Sequence, residues 1–150
     1  MKRKKSDFII KRYKLEHLVP FVITIISVYF WFNYLDQTLL KVVGLVMNVL
    51  GLFIWWSAKI TLGENWNAGY GKPRLKKLVT NGIYSKICHP LYWGINLTLI
   101  GIAFEYQKIW FIIIILLIVI YFFWRMRIED RYLIKELGRK YPDYKKKTWF

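Results

Sequence analysis

The chain is organised around residues 78–94, Leu78-Val79-Thr80-Asn81-Gly82-Ile83-Tyr84-Ser85-Lys86-Ile87-Cys88-His89-Pro90-Leu91-Tyr92-Trp93-Gly94, which lie between two pairs of apolar segments. The segment contains a turn signal at Asn81-Gly82 and one of the chain's two histidines, His89. Pro90 is typical of the first position of a helix. A polar segment rich in aromatic rings, held at the mouth of a helix bundle, indicates a small-molecule site.

The composition of the 150-residue chain combines hydrophobicity with positive charge. Apolar residues make up 56% of it and aromatic residues 19%, while the formal net charge is +15. Both a nucleic-acid binder with a basic face and a small membrane protein with cationic loops have this balance. The apolar residues occur in blocks long enough to span a bilayer, which favours the membrane protein and argues against nucleic-acid binding. The single cysteine excludes an intrachain disulfide and a cysteine-rich zinc site.

Four apolar blocks predict an all-α integral membrane protein, a single domain over residues 1–150 with four transmembrane helices in two hairpins. The predicted spans are at about residues 18–35, 39–58, 89–104 and 109–124. The first block is too long for the apolar region of a signal peptide, so we expect a retained helix after the basic arm at 1–17. Gly44 and Gly51 are typical of positions where two membrane helices approach closely.

The remaining segments are cationic. Residues 59–86 form a long loop interrupted by glycines, and residues 125–150 form a charged tail in which a helix is expected to continue as far as Gly138. Of the 24 lysines and arginines, all but Lys41 and Lys108 lie in the arm, the loop or the tail. The positive-inside rule therefore predicts that both termini and the loop are cytoplasmic; if the protein is prokaryotic, the membrane is the inner or plasma membrane. Anionic lipid headgroups are the expected partners of the basic segments.

Two blocks of sequence resemble a known family. The first comprises Leu62-Gly63-Glu64-Asn65-Trp66, Leu78 to Tyr84 and His89-Pro90-Leu91-Tyr92; the second comprises Arg125-x-x-x-Glu129-Asp130-x-x-Leu133 and Leu137-Gly138-x-x-Tyr141-x-x-Tyr144. Together they resemble the C-terminal core of the isoprenylcysteine carboxyl methyltransferases, whose wider relatives include the phospholipid N-methyltransferases. The chain departs from that pattern at Cys88, where most relatives have Arg, and at Asp130, where a second Glu is usual.

The resemblance implies a membrane methyltransferase that uses S-adenosylmethionine without the Rossmann-like fold of soluble methyltransferases. The sequence agrees, since it has no G-x-G-x-x-G loop after a strand. The acceptor that the resemblance implies is lipid-like or a prenylated cysteine carboxylate. The resemblance places cofactor contacts at Lys76, Lys77, Leu78, Val79, Tyr84, His89, Pro90, Leu91, Tyr92 and Glu129, with the cytoplasmic loop and C-terminal helix forming the site. It places a catalytic, substrate-orienting role at Arg125.

The residue chemistry fits methyl transfer. A carboxylate acceptor needs positioning and removal of water more than acid–base help. Arg125 has the planar fork that holds a carboxylate, and Glu129, a second candidate catalytic residue, follows one helical turn later. Tyr84 and Tyr92 offer rings to an adenine or a sulfonium. For an amine acceptor, His89 or Glu129 would be the base.

Each candidate also has a structural interpretation. His89 could cap the helix that starts at Pro90, Arg125 could anchor at the interface or pair with Glu129, and Cys88 could be a small apolar filler. Lys145, Lys146 and Lys147 would then contact headgroups only. No metal site is expected, because neither histidine has an acidic or thiol partner at ligand spacing.

Two other functions fit the pattern less well. Membrane sterol reductases, which use NADPH, have a similar His-Pro-x-Tyr stretch, but usually with Asn at the position of Leu91 and an acid near Ile95-Asn96. A non-enzymatic scaffold that binds anionic lipid would tolerate replacement of Arg125 and Glu129.

Overall fold

The structure, a computed structural model, describes residues 38–63 and 78–149, together with residues 22, 24–26, 28 and 29 of an earlier helical segment. The described elements with defined bounds are helix α1, Leu39–Leu62; a 3₁₀ helix, Gly82–Ser85; α2, Pro90–Tyr106; α3, Ile109–Leu137; and α4, Lys140–Lys145. These residues contain no strand, which confirms the all-α prediction. The predicted basic arm, most of the first predicted span, and Lys76 and Lys77 lie outside the described residues.

Helices α1 and α3 are long and apolar enough to cross a membrane. Most of their apolar side chains are exposed, and Leu39 and Ile109 are 80% and 72% exposed. A helix in the core of a soluble protein would bury such residues, so the exposed surface indicates a membrane protein. Helix α2, with 17 residues, is about 26 Å long, somewhat less than the bilayer core. The count of four spans and their pairing in hairpins remain predictions.

Glycines bring α1 and α2 close together. A Cβ atom added to Gly51 would lie 2.5 Å from the backbone nitrogen of Thr98, and one added to Gly44 would lie 2.6 Å from the carbonyl oxygen of Gly101. Gly94 and Gly101 provide the matching surface on α2. The backbones therefore touch directly, which confirms the role predicted for Gly44 and Gly51.

A buried polar contact also joins α1 to α2. Asn48 Nδ2 donates to Glu105 Oε1 at 3.0 Å, and both residues are fully buried. The third predicted span ends at about residue 104, but the helix continues through Glu105 to Tyr106 because the Glu105 carboxylate has a buried partner. The actual link is Gln107, with φ +50°, and Lys108.

Helix α1 ends four residues later than predicted. The apolar pattern stops at Ala58, but Lys59 is buried with its ammonium 4.5 Å from the centre of the Trp55 ring, and the helix continues to Leu62. Gly63, with φ +51°, follows it. Helix α3 continues beyond its apolar part and ends before Gly138, with φ +57°, as predicted.

Candidate active site

The loop before α2 is folded against the end of α1. Gly82, with φ +56°, starts the 3₁₀ helix, and a Cβ atom there would lie 2.9 Å from Thr61 Oγ1. The turn closes with a hydrogen bond from the Tyr84 amide to the carbonyl of Asn81 at 3.1 Å. Tyr84 is buried as a result, with its ring beside the cavity described below. Burial, and after it the Glu129 carboxylate, raises the pKa of the Tyr84 phenol, so its hydroxyl remains protonated.

His89 does not cap α2, contrary to one interpretation of the sequence. Its side chain makes no capping hydrogen bond, and its Nε2 lies 2.7 Å from Asp130 Oδ1 on α3. The Tyr141 hydroxyl lies 3.1 Å from the same nitrogen and donates to Asp130 Oδ1. The Lys145 ammonium donates to Asp130 Oδ2. One carboxylate therefore joins the start of α2 to α3 and α4.

Asp130, Tyr141 and Lys145 were not predicted to belong to the site. Asp130 is 41 residues from His89 along the chain, and Tyr141 is 52. No local spacing links residues so far apart, although Asp130 and Tyr141 stand in the second block of the family pattern. The Lys145 ammonium, which the sequence assigned to lipid headgroups, also pairs with Asp130; its contact with headgroups stays a prediction.

Cys88 is a buried residue with a polar neighbour. Its Sγ lies 3.3 Å from the Tyr141 hydroxyl, within a cluster that also includes Leu133 and Tyr144. The filler interpretation is therefore incomplete. Burial raises the pKa of the Tyr141 phenol, and the hydrogen bond to Asp130 raises it further, so the hydroxyl remains a donor.

Three possible metal ligands lie close together here, and the expected absence of a metal site stays a prediction. Cys88, His89 and Asp130 each place one possible metal-ligand atom within 4.8 Å of the others. The sequence argument considered only residues at regular ligand spacing, and Asp130 comes from another helix.

Tyr92 connects α2 to the part of α3 that follows its apolar stretch. Its hydroxyl donates to Glu129 Oε2 at 2.8 Å, and its ring is packed 6.0 Å from the ring of Phe122, centre to centre. Arg125 is near enough to the Tyr92 hydroxyl to interact with it electrostatically. Among the described residues, the ion pairs do not include one between Arg125 and Glu129. The interpretation in which these two residues only neutralise each other is therefore wrong.

The last residues of the chain cover the loop. The Tyr144 hydroxyl donates to the carbonyl oxygen of Tyr84 at 2.7 Å, and the Trp149 amide donates to the carbonyl oxygen of Lys86 at 2.8 Å. Burial, and then the nearby Cys88, raises the pKa of the Tyr144 phenol, which keeps this donor intact at neutral pH.

A cavity of about 80 Å³ lies where these elements meet. Seven of the predicted cofactor residues line it: Leu78, Val79, Tyr84, His89, Leu91, Tyr92 and Glu129. Its other walls are Leu62, Cys88, Leu133, Tyr141 and Tyr144. Pro90 is buried at the start of α2 and is not in the lining, and Arg125 lies one turn from Glu129, also outside it. The functions of these residues remain predictions.

Comparisons with known proteins agree with this architecture. A sequence model of the phospholipid methyltransferase family matches residues 39–140. A protein-S-isoprenylcysteine O-methyltransferase of Dictyostelium discoideum is 30% identical over an alignment of 149 residues that covers 93% of this chain and 63% of that protein. Another protein of that name, from Xenopus laevis, is 32% identical over 114 residues, or 74% of this chain and 40% of that protein.

The chain thus spans less than two thirds of the length of these relatives. No solved structure matches it at a significant level. The matches confirm the resemblance to isoprenylcysteine methyltransferases, and nothing in them favours a reductase. Because the family match extends over more than half of its length, the chain belongs to the phospholipid methyltransferase family.

Proposed function

We propose that this protein transfers the methyl group of S-adenosylmethionine to a carboxylate on a lipid-like or prenylated acceptor, at the cytoplasmic face of a membrane. Membership of a methyltransferase family supports the reaction type. The observation that carries the proposal is the cavity between the loop, α3 and α4, in which a Tyr92–Glu129 hydrogen bond adjoins an apolar wall.

The lining has the chemistry that this cofactor requires. Leu78, Val79 and Leu91 offer an apolar surface for an adenine ring, and the Tyr84 ring is beside them. Glu129 offers a carboxylate oxygen to an amino group or to ribose hydroxyls. Pockets that enclose a whole small molecule have volumes of about 300–1,000 Å³, so the 80 Å³ cavity takes only part of such a cofactor until the site opens.

The first function of the cavity residues is to hold and orient. S-adenosylmethionine, when bound, supplies a methyl group on a positively charged sulfur. The Glu129 carboxylate is held in position because the Tyr92 hydroxyl donates a hydrogen bond to Oε2, which leaves Oε1 to accept one from a ligand. Orienting two reactants in this way contributes a large share of the catalysis of a simple displacement.

Arg125 is suited to holding the acceptor. It lies at the end of the apolar part of α3, one turn before Glu129, and is half-buried. Its guanidinium can bind a carboxylate through two parallel hydrogen bonds. The apolar portion of the acceptor would then lie along the exposed isoleucines and leucines of α3, as it would in a bilayer.

No general base is needed for a carboxylate acceptor, and the state of His89 agrees with that. Its Nε2 is engaged with Asp130 and Tyr141, so the imidazole acts as a link between elements. The wall formed by Tyr141 and Tyr144 keeps the cavity largely apolar and limits the water that reaches it.

The basic tail is proposed to lie against anionic headgroups. Arg127, Lys135, Lys140 and Lys146 are exposed, as is Trp149. Cationic side chains beside an interfacial tryptophan favour the headgroup region of the cytoplasmic leaflet.

The proposal is tested by following the labelled methyl group. Detergent-purified protein is incubated with methyl-tritiated S-adenosylmethionine and a farnesylated cysteine with a free carboxylate. Label that alkali releases as volatile methanol identifies a methyl ester and supports the proposal. If the label resists alkali and is found on the amine of a phospholipid, the acceptor is the lipid headgroup and carboxyl methylation is refuted.

Calorimetry separates the cofactor from the acceptor. S-adenosylmethionine and S-adenosylhomocysteine are expected to bind, and NADPH is not. Binding of NADPH alone would refute the proposal in favour of a reductase, and binding of none would favour the lipid-binding scaffold.

A further inference from the structure

We propose that Cys88, His89 and Asp130 form a binding site for a soft divalent cation such as Zn²⁺, beside the candidate active site. The three residues come from the loop, the start of α2 and the cytoplasmic part of α3. Cys88 and His89 are buried, and Asp130 is half-buried.

The distances suit a single ion. One ligand atom of each residue lies within 4.8 Å of the others, and His89 Nε2 is 2.7 Å from Asp130 Oδ1. Zinc binds thiolate at about 2.3 Å and imidazole or carboxylate at about 2.0–2.2 Å, so ligand atoms around it are roughly 3–4 Å apart. His89 Nε2 and Asp130 Oδ1, now hydrogen-bonded to each other, move apart to that spacing when an ion enters between them. The Tyr141 hydroxyl, 3.3 Å from Cys88 Sγ and 3.1 Å from Nε2, covers one face of the site.

The ligand types favour a soft cation. A thiolate, an imidazole and one carboxylate form a set typical of zinc, and three protein ligands leave a fourth position open. Binding breaks the S–H bond of Cys88 and displaces the proton that His89 Nε2 shares with Asp130 Oδ1; both protons leave to solvent as the sulfur–metal and nitrogen–metal bonds form. The two negative ligands then neutralise the ion, which lowers the cost of holding charge in a buried position.

Neighbouring groups hold the ligands in place. Lys145 pairs with Asp130 Oδ2, which leaves Oδ1 directed at His89. Partners of this kind fix ligand orientation around a metal.

The site has a consequence that rests on the proposed function. His89 and Cys88 line the cavity assigned to S-adenosylmethionine, so an ion bound to them would occupy the edge of the cofactor site. We therefore expect Zn²⁺ and the cofactor to compete, and the cation to inhibit.

The test uses Co²⁺ as a spectroscopic probe for Zn²⁺, on purified full-length protein without an affinity tag. We expect a near-ultraviolet thiolate-to-cobalt band and visible ligand-field bands that saturate at one ion per chain and disappear when Zn²⁺ is added. Absence of these bands in the folded wild-type protein overturns the proposal without reference to any variant.

Variants locate the site. Cys88→Ser and Asp130→Asn should each weaken Co²⁺ binding roughly 100-fold or more, beyond the 10–100-fold loss expected for a supporting residue. Because the chain has one cysteine, a matched control moves the thiol to the exposed position 85 in the double variant Cys88→Ser/Ser85→Cys. An equal thiolate band in this control would show adventitious binding by any thiol and overturn the site.

Competition is measured separately, as the binding of S-adenosylhomocysteine with and without Zn²⁺. Competition is supported if Zn²⁺ weakens the binding of S-adenosylhomocysteine to the wild type and has no such effect on Cys88→Ser. Competition is refuted if Zn²⁺ leaves the binding to the wild type unchanged. If S-adenosylhomocysteine does not bind at all while the cobalt bands are present, the proposed function fails and the cation site stands.

Discussion

Replacement of Glu129 by Gln gives the sharpest test of the candidate active site. The change keeps the size of the side chain and removes its charge. Oε2 accepts a hydrogen bond from Tyr92 at 2.8 Å, and the other oxygen is left for a ligand at the cavity wall. If Glu129 binds S-adenosylhomocysteine, the variant loses a hydrogen bond to a charged group.

The size of the effect follows from that one interaction. A hydrogen bond to a charged group contributes about 1.5–3 kcal/mol. At about 1.4 kcal/mol per factor of ten, the Kd for S-adenosylhomocysteine should rise about 10- to 150-fold. The assay is isothermal titration calorimetry of both proteins in the same detergent.

Glu136→Gln is the matched control. It makes the same change of charge two turns further along α3, on an exposed residue outside the cavity. The Kd of this variant for S-adenosylhomocysteine should remain within about twofold of the wild-type value, since surface substitutions have small effects. If Glu129→Gln also stays within that range, Glu129 does not bind the cofactor and the assignment is refuted.

Three further predictions concern the elements around the site. Gly51→Val should destabilise the α1–α2 contact by about 1–3 kcal/mol, because a Cβ at this position would lie 2.5 Å from the α2 backbone. Thermal unfolding in detergent should show a lower Tm for this variant. The control variant Val49→Leu, on the exposed face, should keep the Tm of the wild type. Asn48→Leu should reduce the free energy of unfolding by about 1–3 kcal/mol, and so lower Tm, because it removes a donor from the buried Glu105. An unchanged Tm would refute this link. Tyr144→Phe removes the hydrogen bond to the Tyr84 carbonyl, which should destabilise the docked tail by about 1 kcal/mol and speed its cleavage in limited proteolysis. Equal cleavage rates for the variant and the wild type would argue against the contact.

The sequence predicts the helices well because their apolar blocks are long. The starts of α1 and α3 agree with prediction, and Gly138 ends α3 as expected. Errors occur where a charged side chain is buried, as at Lys59 and Glu105. Local pattern treats a charge as an end of the helix, but the Trp55 ring one turn earlier accommodates Lys59, and Asn48 of the neighbouring helix accommodates Glu105.

The site could be predicted only in part, for a related reason. His89 and Tyr92 are recognisable from their place beside Pro90, and Glu129 from its place after Arg125. The link between His89 and Asp130 depends on the way in which the α2–α3 hairpin closes. Spacing along the chain holds no information about it, so the Asp130 carboxylate was not assigned to the candidate site.

The tail explains why two blocks of sequence that are far apart along the chain both line the candidate site. Helix α3 returns the chain to the level of the loop, where Glu129 meets Tyr92. Helix α4 then folds back, and Tyr144 binds the carbonyl oxygen of Tyr84. The cavity therefore has no complete wall until the last residues are in place. A cofactor that contacts both the loop and α3 would stabilise this closure, because it binds only the assembled form.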